Sequence, residues 1–135
     1  MYTIALKNGD WDFSNRHGRV ITGRSKLTQC LSQWLLETRG VDRFHPTYGS
    51  PIQNMIGMQR TEPNRQAVEN IVRQSCIDYM NYISSEFDQH PDRYSKEEVI
   101  AQVLGVTSYY IEEELHVTIA VRTLAGTVEE IGIDV

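Results

Sequence analysis

Leu115-His116-Val117-Thr118-Ile119-Ala120-Val121-Arg122 places a large apolar residue at every second position. That period is the mark of a strand with one face buried and one face in water. C-terminal to it, Leu124-Ala125-Gly126 turns the chain, and Val128, Ile131, Ile133 and Val135 supply a returning strand. The adjacent Glu129 and Glu130 shift the parity by one residue, which predicts a bulge there. N-terminal to it, Val99, Ala101 and Val103 begin a further alternation that Gly105 and Val106 blur. The acidic run Glu112-Glu113-Glu114 falls at the turn between the two. The last third therefore reads as a three-stranded antiparallel meander ending in a C-terminal hairpin.

The preceding residues change period. Val68, Ile71, Val72, Cys76, Tyr79, Met80, Ile83 and Phe87 form a stripe at helical spacing, so a long helix is expected over 62–87. Thr61 is placed to cap it, and Pro63 falls in the first turn, where a missing N–H costs nothing. Leu27, Cys30, Leu31, Trp34 and Leu35 predict an earlier helix over 26–38, capped by Ser25 and stopped by Gly40. Ile52, Met55 and Ile56 mark a short helix ending at Gly57, and Ser95-Lys96-Glu97-Glu98 matches a capping box. Residues 2–6 read as a first strand expected to join the sheet, closed by the turn dipeptide Asn8-Gly9. Residues 10–24 are an arm without a period that holds Trp11, Phe13, Arg16, His17, Arg19 and Arg24. The fold class is α+β: an antiparallel β-meander with a C-terminal hairpin, packed against two main α-helices. Residues 1–135 read as a single domain, with 1–24 as its N-terminal strand and arm.

Composition fits a soluble globular chain, with 40% hydrophobic and 23% charged residues in 135. A chain of this length buries roughly two thirds of its unfolded surface and folds without staples. Cys30 and Cys76 lie in apolar helical stripes and read as buried free thiols, as in a reducing cytoplasm. No signal peptide and no apolar run of membrane-spanning length is visible. The net charge of −5 is uneven, because residues 97–135 hold eight acids against Arg122 alone. That balance disfavours nucleic acid and suits a basic neighbour, or else a solvated face.

Chemistry-bearing motifs are scarce. His17, His45, His90 and His116 do not fall at metal-ligand spacing, and no cofactor motif occurs. Glu62 and Glu69 on the long helix read as surface charge and dipole compensation, not as a glycosidase pair. Arg60, Arg65 and Arg73 alternate with Glu62, Glu69 and Asp78, which is not a basic stripe for nucleic acid. Protein contact remains. Residues 114–135 contain neither proline nor lysine, the residues that usually blunt a sheet edge. Such an edge is a template for strand addition unless the N-terminal strand covers it.

Residues 31–56 also resemble the baseplate wedge, or sheath-initiator, family of contractile phage tails, which has been labelled lysozyme-like as well. Leu36-Glu37-Thr38-Arg39-Gly40 and Arg43-Phe44-His45-Pro46-Thr47-Tyr48-Gly49-Ser50 carry the likeness. A long helix and a terminal hairpin follow in the family's order, over about residues 20–135. The family's Glu-Pro-Arg triplet follows the long helix. Here Pro91 and Arg93 match by position, while Glu62, Pro63 and Arg65 match by chemistry. The resemblance implies a structural part of a virion's tail baseplate, assembled in the host cytoplasm; that the chain is not an enzyme is expected from the scarcity of catalytic motifs. Its implied partners are other wedge proteins, the tail sheath protein, and tail hub or tube proteins, with no nucleic acid and no membrane. The implied contacts are Arg43, Phe44, Tyr48, Gly49, Pro91 and Arg93 for the wedge. For the sheath they are Leu115, Val117, Ile119, Val121, Ile131 and Ile133 of the terminal hairpin. The alternatives are a small regulatory adaptor on a related fold and a peptidoglycan-degrading enzyme.

Overall fold

The computed structural model describes residues 22–55 and 57–135, with the backbone of four short strands before them. These are β1 (Thr3–Ile4), β2 (Leu6–Lys7), β3 (Asp10–Trp11) and β4 (Val20–Ile21). β1 pairs with β4, and β2 with β3, both antiparallel. The expected first strand thus pairs within the N-terminal segment and does not join the main sheet, as a correction to the sequence reading. The side chains of Trp11, Phe13, Arg16, His17 and Arg19 lie outside the described residues, as does Ile56.

The main elements are α1 (Gly23–Leu36), α2 (Glu62–Gln89), β5 (Ile100–Ile111), β6 (Glu114–Thr123) and β7 (Val128–Asp134). The three long strands form one antiparallel sheet in the order β5-β6-β7. Both helices cover the same face. Leu31, Leu35, Val72 and Cys76 from the helices bury completely with Ile119 and Val121 of β6 and Ile131 of β7. This is the two-layer α+β arrangement that the alternation and the two helical stripes predict.

α2 starts as expected, with the Thr61 side chain accepting from the Asn64 N–H and Pro63 in the first turn. α1 begins and ends earlier than its stripe suggests. Its first N–H, on Gly23, donates to Glu98 Oε1 at 3.0 Å, so the cap comes from 75 residues away and not from Ser25. The helix stops at Leu36 because Glu37 turns extended and Thr38 bridges to Ser50. Gly40, with φ +87°, belongs to the loop beyond.

The same carboxylate of Glu98 accepts from Lys26 Nζ at 3.0 Å and from the Ser95 N–H at 3.3 Å. Both members of this ion pair are about 5% exposed. Lys26 also lies over the Tyr94 ring, 4.7 Å from its centre. The pair ties the start of α1 to the turn Lys96–Glu98 that leads into β5.

The bulge expected at Glu129-Glu130 is absent. β6 and β7 pair without a shift from His116↔Asp134 to Arg122↔Val128. Glu129 keeps the inward parity of Ile131 because it meets Arg24 of α1 at 2.5 Å. The residue that departs from the pattern is Val128, on the outer face and 55% exposed. The register shifts lie instead in β5, beside Ala101 and Leu104, where the alternation blurs.

Candidate interaction surfaces

The loop from Glu37 to Ser50 is closed at its foot and open at its tip. At the foot, the Ser50 N–H donates to Glu37 O (2.9 Å) and the Ser50 hydroxyl to Leu35 O (2.6 Å). Arg39 donates through Nε to Gly49 O and through Nη2 to Asp78, both at 3.1 Å. Gly49 has φ +102°, and a Cβ there would sit 2.5 Å from Glu37 O, so only glycine closes this foot. Tyr48 packs edge-on against Trp34, with centroids 4.7 Å apart, and against Tyr82.

At the tip, the Asp42 carboxylate accepts from the Phe44 N–H (2.9 Å) and meets His45 Nδ1 (3.0 Å). These two bonds hold the Asp42 carboxyl below its usual range. They also present Phe44, 87% exposed, beside exposed Val41 and Arg43. An aromatic this exposed on a loop this constrained is a ready contact point. Of the four loop residues singled out, Arg43 and Phe44 are therefore available to a partner. Gly49 is buried and Tyr48 half-buried, so these two position the tip.

Burial pushes the Tyr48 phenol up to about 12. The sign follows directly. Above pH 10 the unfolded chain ionises this tyrosine while the folded chain keeps it neutral, so stability falls as pH rises from about 10 to about 12. Tyr48→Phe is expected to flatten part of that fall, read as urea midpoints at pH 9, 10 and 11.

The two Pro/Arg pairs differ in what surrounds them. Arg65 ion-pairs with Glu62 and Glu69 and donates to the Ser108 carbonyl at 3.0 Å, tying α2 to β5. Its hydrogen bonds hold the Glu62 carboxyl below its usual range. Pro91 and Arg93 lie on an exposed turn after α2.

The hairpin residues need redrawing. Leu115, Val117, Ile119, Val121, Ile131 and Ile133 are all under 8% exposed, with side chains in the core, so none of them offers a side-chain surface. β6 is the central strand and is paired on both sides, which removes its backbone as well. The sheet's two edge strands are β5 and β7, and β7 is the one that belongs to the terminal hairpin. Leu115 and Val135 exchange both backbone bonds, so the odd-numbered residues of β7 bond inward. By the antiparallel alternation, Val128, Glu130, Gly132 and Asp134 turn their N–H and C=O groups outward. Among the described strands none pairs there.

Among the described residues no group of three or more His, Cys, Asp or Glu is placed to hold a metal ion. No described helix is long and apolar enough to cross a membrane.

The class of fold set by this arrangement, two helices on one face of a three-stranded terminal meander, has a solved counterpart. A protein of Geobacter sulfurreducens described as a candidate tail lysozyme shares it with a TM-score of 0.61. The match covers 82% of this chain and 86% of that one at 17% identity, which establishes a likeness of fold. No family model and no curated protein matches the chain.

Proposed function

We propose that this chain is a non-enzymatic structural subunit of a contractile tail baseplate. In this reading the loop tip at Arg43–Phe44 and the turn at Pro91–Arg93 dock on wedge proteins, close to the tail hub and tube. The edge of β7 accepts a strand from the first ring of sheath, and backbone pairing fixes where that ring begins. The observation that carries the proposal is the outward row of backbone groups on β7, unguarded by proline or lysine. A fold shared with a protein described as a candidate tail lysozyme supports the tail setting.

The lysozyme part of that description has less to rest on here. A glycosidase acid must stay protonated in an apolar site. Glu62 is held below the usual carboxylate range by its hydrogen bonds to Arg65, and Glu69 and Glu98 are each taken up in an ion pair, with Arg65 and Lys26. Clearing of a peptidoglycan suspension by the purified protein, lost on a single Glu→Gln change, would overturn the non-enzymatic reading.

Deleting β7 would strip Ile131 and Ile133 from the core, so a point change tests the edge more cleanly. Gly132→Pro removes an outward N–H and no ladder bond. Tagged wild-type chain expressed in its source organism is expected to recover wedge and sheath proteins, identified by mass spectrometry. The proline variant should keep the wedge proteins and lose the sheath protein. Recovery of no tail protein, with one cellular partner in their place, would favour an adaptor and sink the proposal.

A further inference from the structure

A strand laid along the open side of β7 meets two chemistries in fixed register. Its solvent-face side chains fall beside Glu130 and Asp134; on the inner face Ile131 and Ile133 are already covered by the core, and half-buried Val135 is the residue left to meet the strand. The solvent face is acidic. β7 carries no basic residue, and Glu130 is exposed. Arg24 meets Glu129, His116 meets Asp134, and Arg122 donates to Gln102 across the sheet.

The inner face changes at its end. Beside Val135 it opens into a cavity of about 280 Å³, lined by Met55, Met58, Val68 and Leu115. Arg60 on its rim is taken up by the Glu112 carbonyl at 2.6 Å and the Glu113 carboxylate at 3.8 Å. Those apolar side chains share the lining with Gln59, Asn64, Tyr110 and Glu113, and the two methionines adapt to the shape of what enters. Strand addition draws affinity from the backbone and specificity from such pockets.

We propose that the β7 edge selects its strand by composition. The occupant alternates apolar residues inward with Lys or Arg outward, and ends in one large apolar side chain that enters the cavity beside Val135. This inference rests on the strand-addition reading above and specifies what that strand must carry.

Fluorescein-labelled peptides of alternating Lys and Val, ending in Phe, test it by anisotropy against the full chain. Phe is placed at either end, because an antiparallel strand brings its N-terminus to Val135 and a parallel strand its C-terminus. One polarity is expected to bind. Changing its Phe to Ala should weaken binding by about tenfold to a hundredfold, the effect of burying one such side chain. Changing Lys to Glu should abolish binding, and added salt should weaken the Lys peptide. Met58→Trp, which fills the cavity mouth, should weaken the Phe peptide to the level of the Ala peptide. Equal binding of the Phe, Ala and Glu peptides would overturn the selectivity and leave strand addition standing. Binding of none of them, with sheath recovery unchanged by Gly132→Pro, would overturn both.

Discussion

Replacing Glu98 with alanine will lower the stability of the folded chain by about 3–5 kcal/mol, the usual effect of orphaning one member of a buried ion pair. Three donors lose their acceptor at once: Lys26 Nζ, the Gly23 N–H that opens α1, and the Ser95 N–H of the capping box. An ammonium about 5% exposed then loses its carboxylate. A small domain holds only roughly 5–15 kcal/mol in reserve, so the variant should unfold at a markedly lower urea midpoint with an unchanged slope, followed by far-UV circular dichroism. The double variant Lys26→Met with Glu98→Leu discriminates further. If the damage comes from an ammonium left without its carboxylate, the double variant recovers part of the loss. It does not recover all of it, because Gly23 and Ser95 still lack an acceptor. A single Glu98→Ala variant within about 0.5 kcal/mol of wild type, the range of an ordinary surface change, would show that the pair does not hold α1 to the sheet.

That pair also marks where the sequence stops being legible. Ser95 and Glu98 announce a capping box, and the box forms. Nothing in a linear reading says that the same carboxylate serves Lys26 and Gly23, which are 72 and 75 residues away. The stripe from Leu27 to Leu35 locates α1, yet its true start at Gly23 is set by a tertiary hydrogen bond and its end at Leu36 by the Thr38–Ser50 bridge. The alternation from Leu115 to Val121 fixes which face of β6 is buried, and the structure agrees at every odd position. It cannot say which strand is the edge. The same pattern that identified Leu115, Val117, Ile119 and Val121 as a strand also committed their side chains to the core, leaving β7 to meet a partner. At Glu129-Glu130 the composition pointed to a bulge, but Arg24 of α1 makes an inward glutamate acceptable there. The loop is legible as pinned from Tyr48 and Gly49. Only the structure separates that buried foot from a tip that exposes Phe44.

The second large effect joins that foot to the core. Trp34→Ala should destabilise the domain by about 3–5 kcal/mol, the range for removing a buried aromatic. It should also change the loop in a way that an equally destabilising change elsewhere does not. The Trp34 ring is 3% exposed and touches Tyr48, Tyr79 and Tyr82, with centroids 4.7, 5.5 and 5.3 Å away. Its indole N–H donates to the Ser75 carbonyl at 3.1 Å inside α2. Trp34 therefore fastens α1 to α2 and gives Tyr48 the surface on which the loop rests. Without it, the tip loses its support on one side, while the Asp42 bonds to Phe44 and His45 remain local. Trp34→Phe keeps a ring under Tyr48 and drops the hydrogen bond, so it should cost less than the alanine change. Val72→Ala provides the control, since Val72 is fully buried in α2. Amide hydrogen exchange over residues 38–49 decides the matter. Faster exchange there in Trp34→Ala than in Val72→Ala, under conditions where both stay folded, is the expected result. Equal exchange in the two variants would mean that the Gly49 and Ser50 bonds at the foot hold the loop without the aromatic cluster.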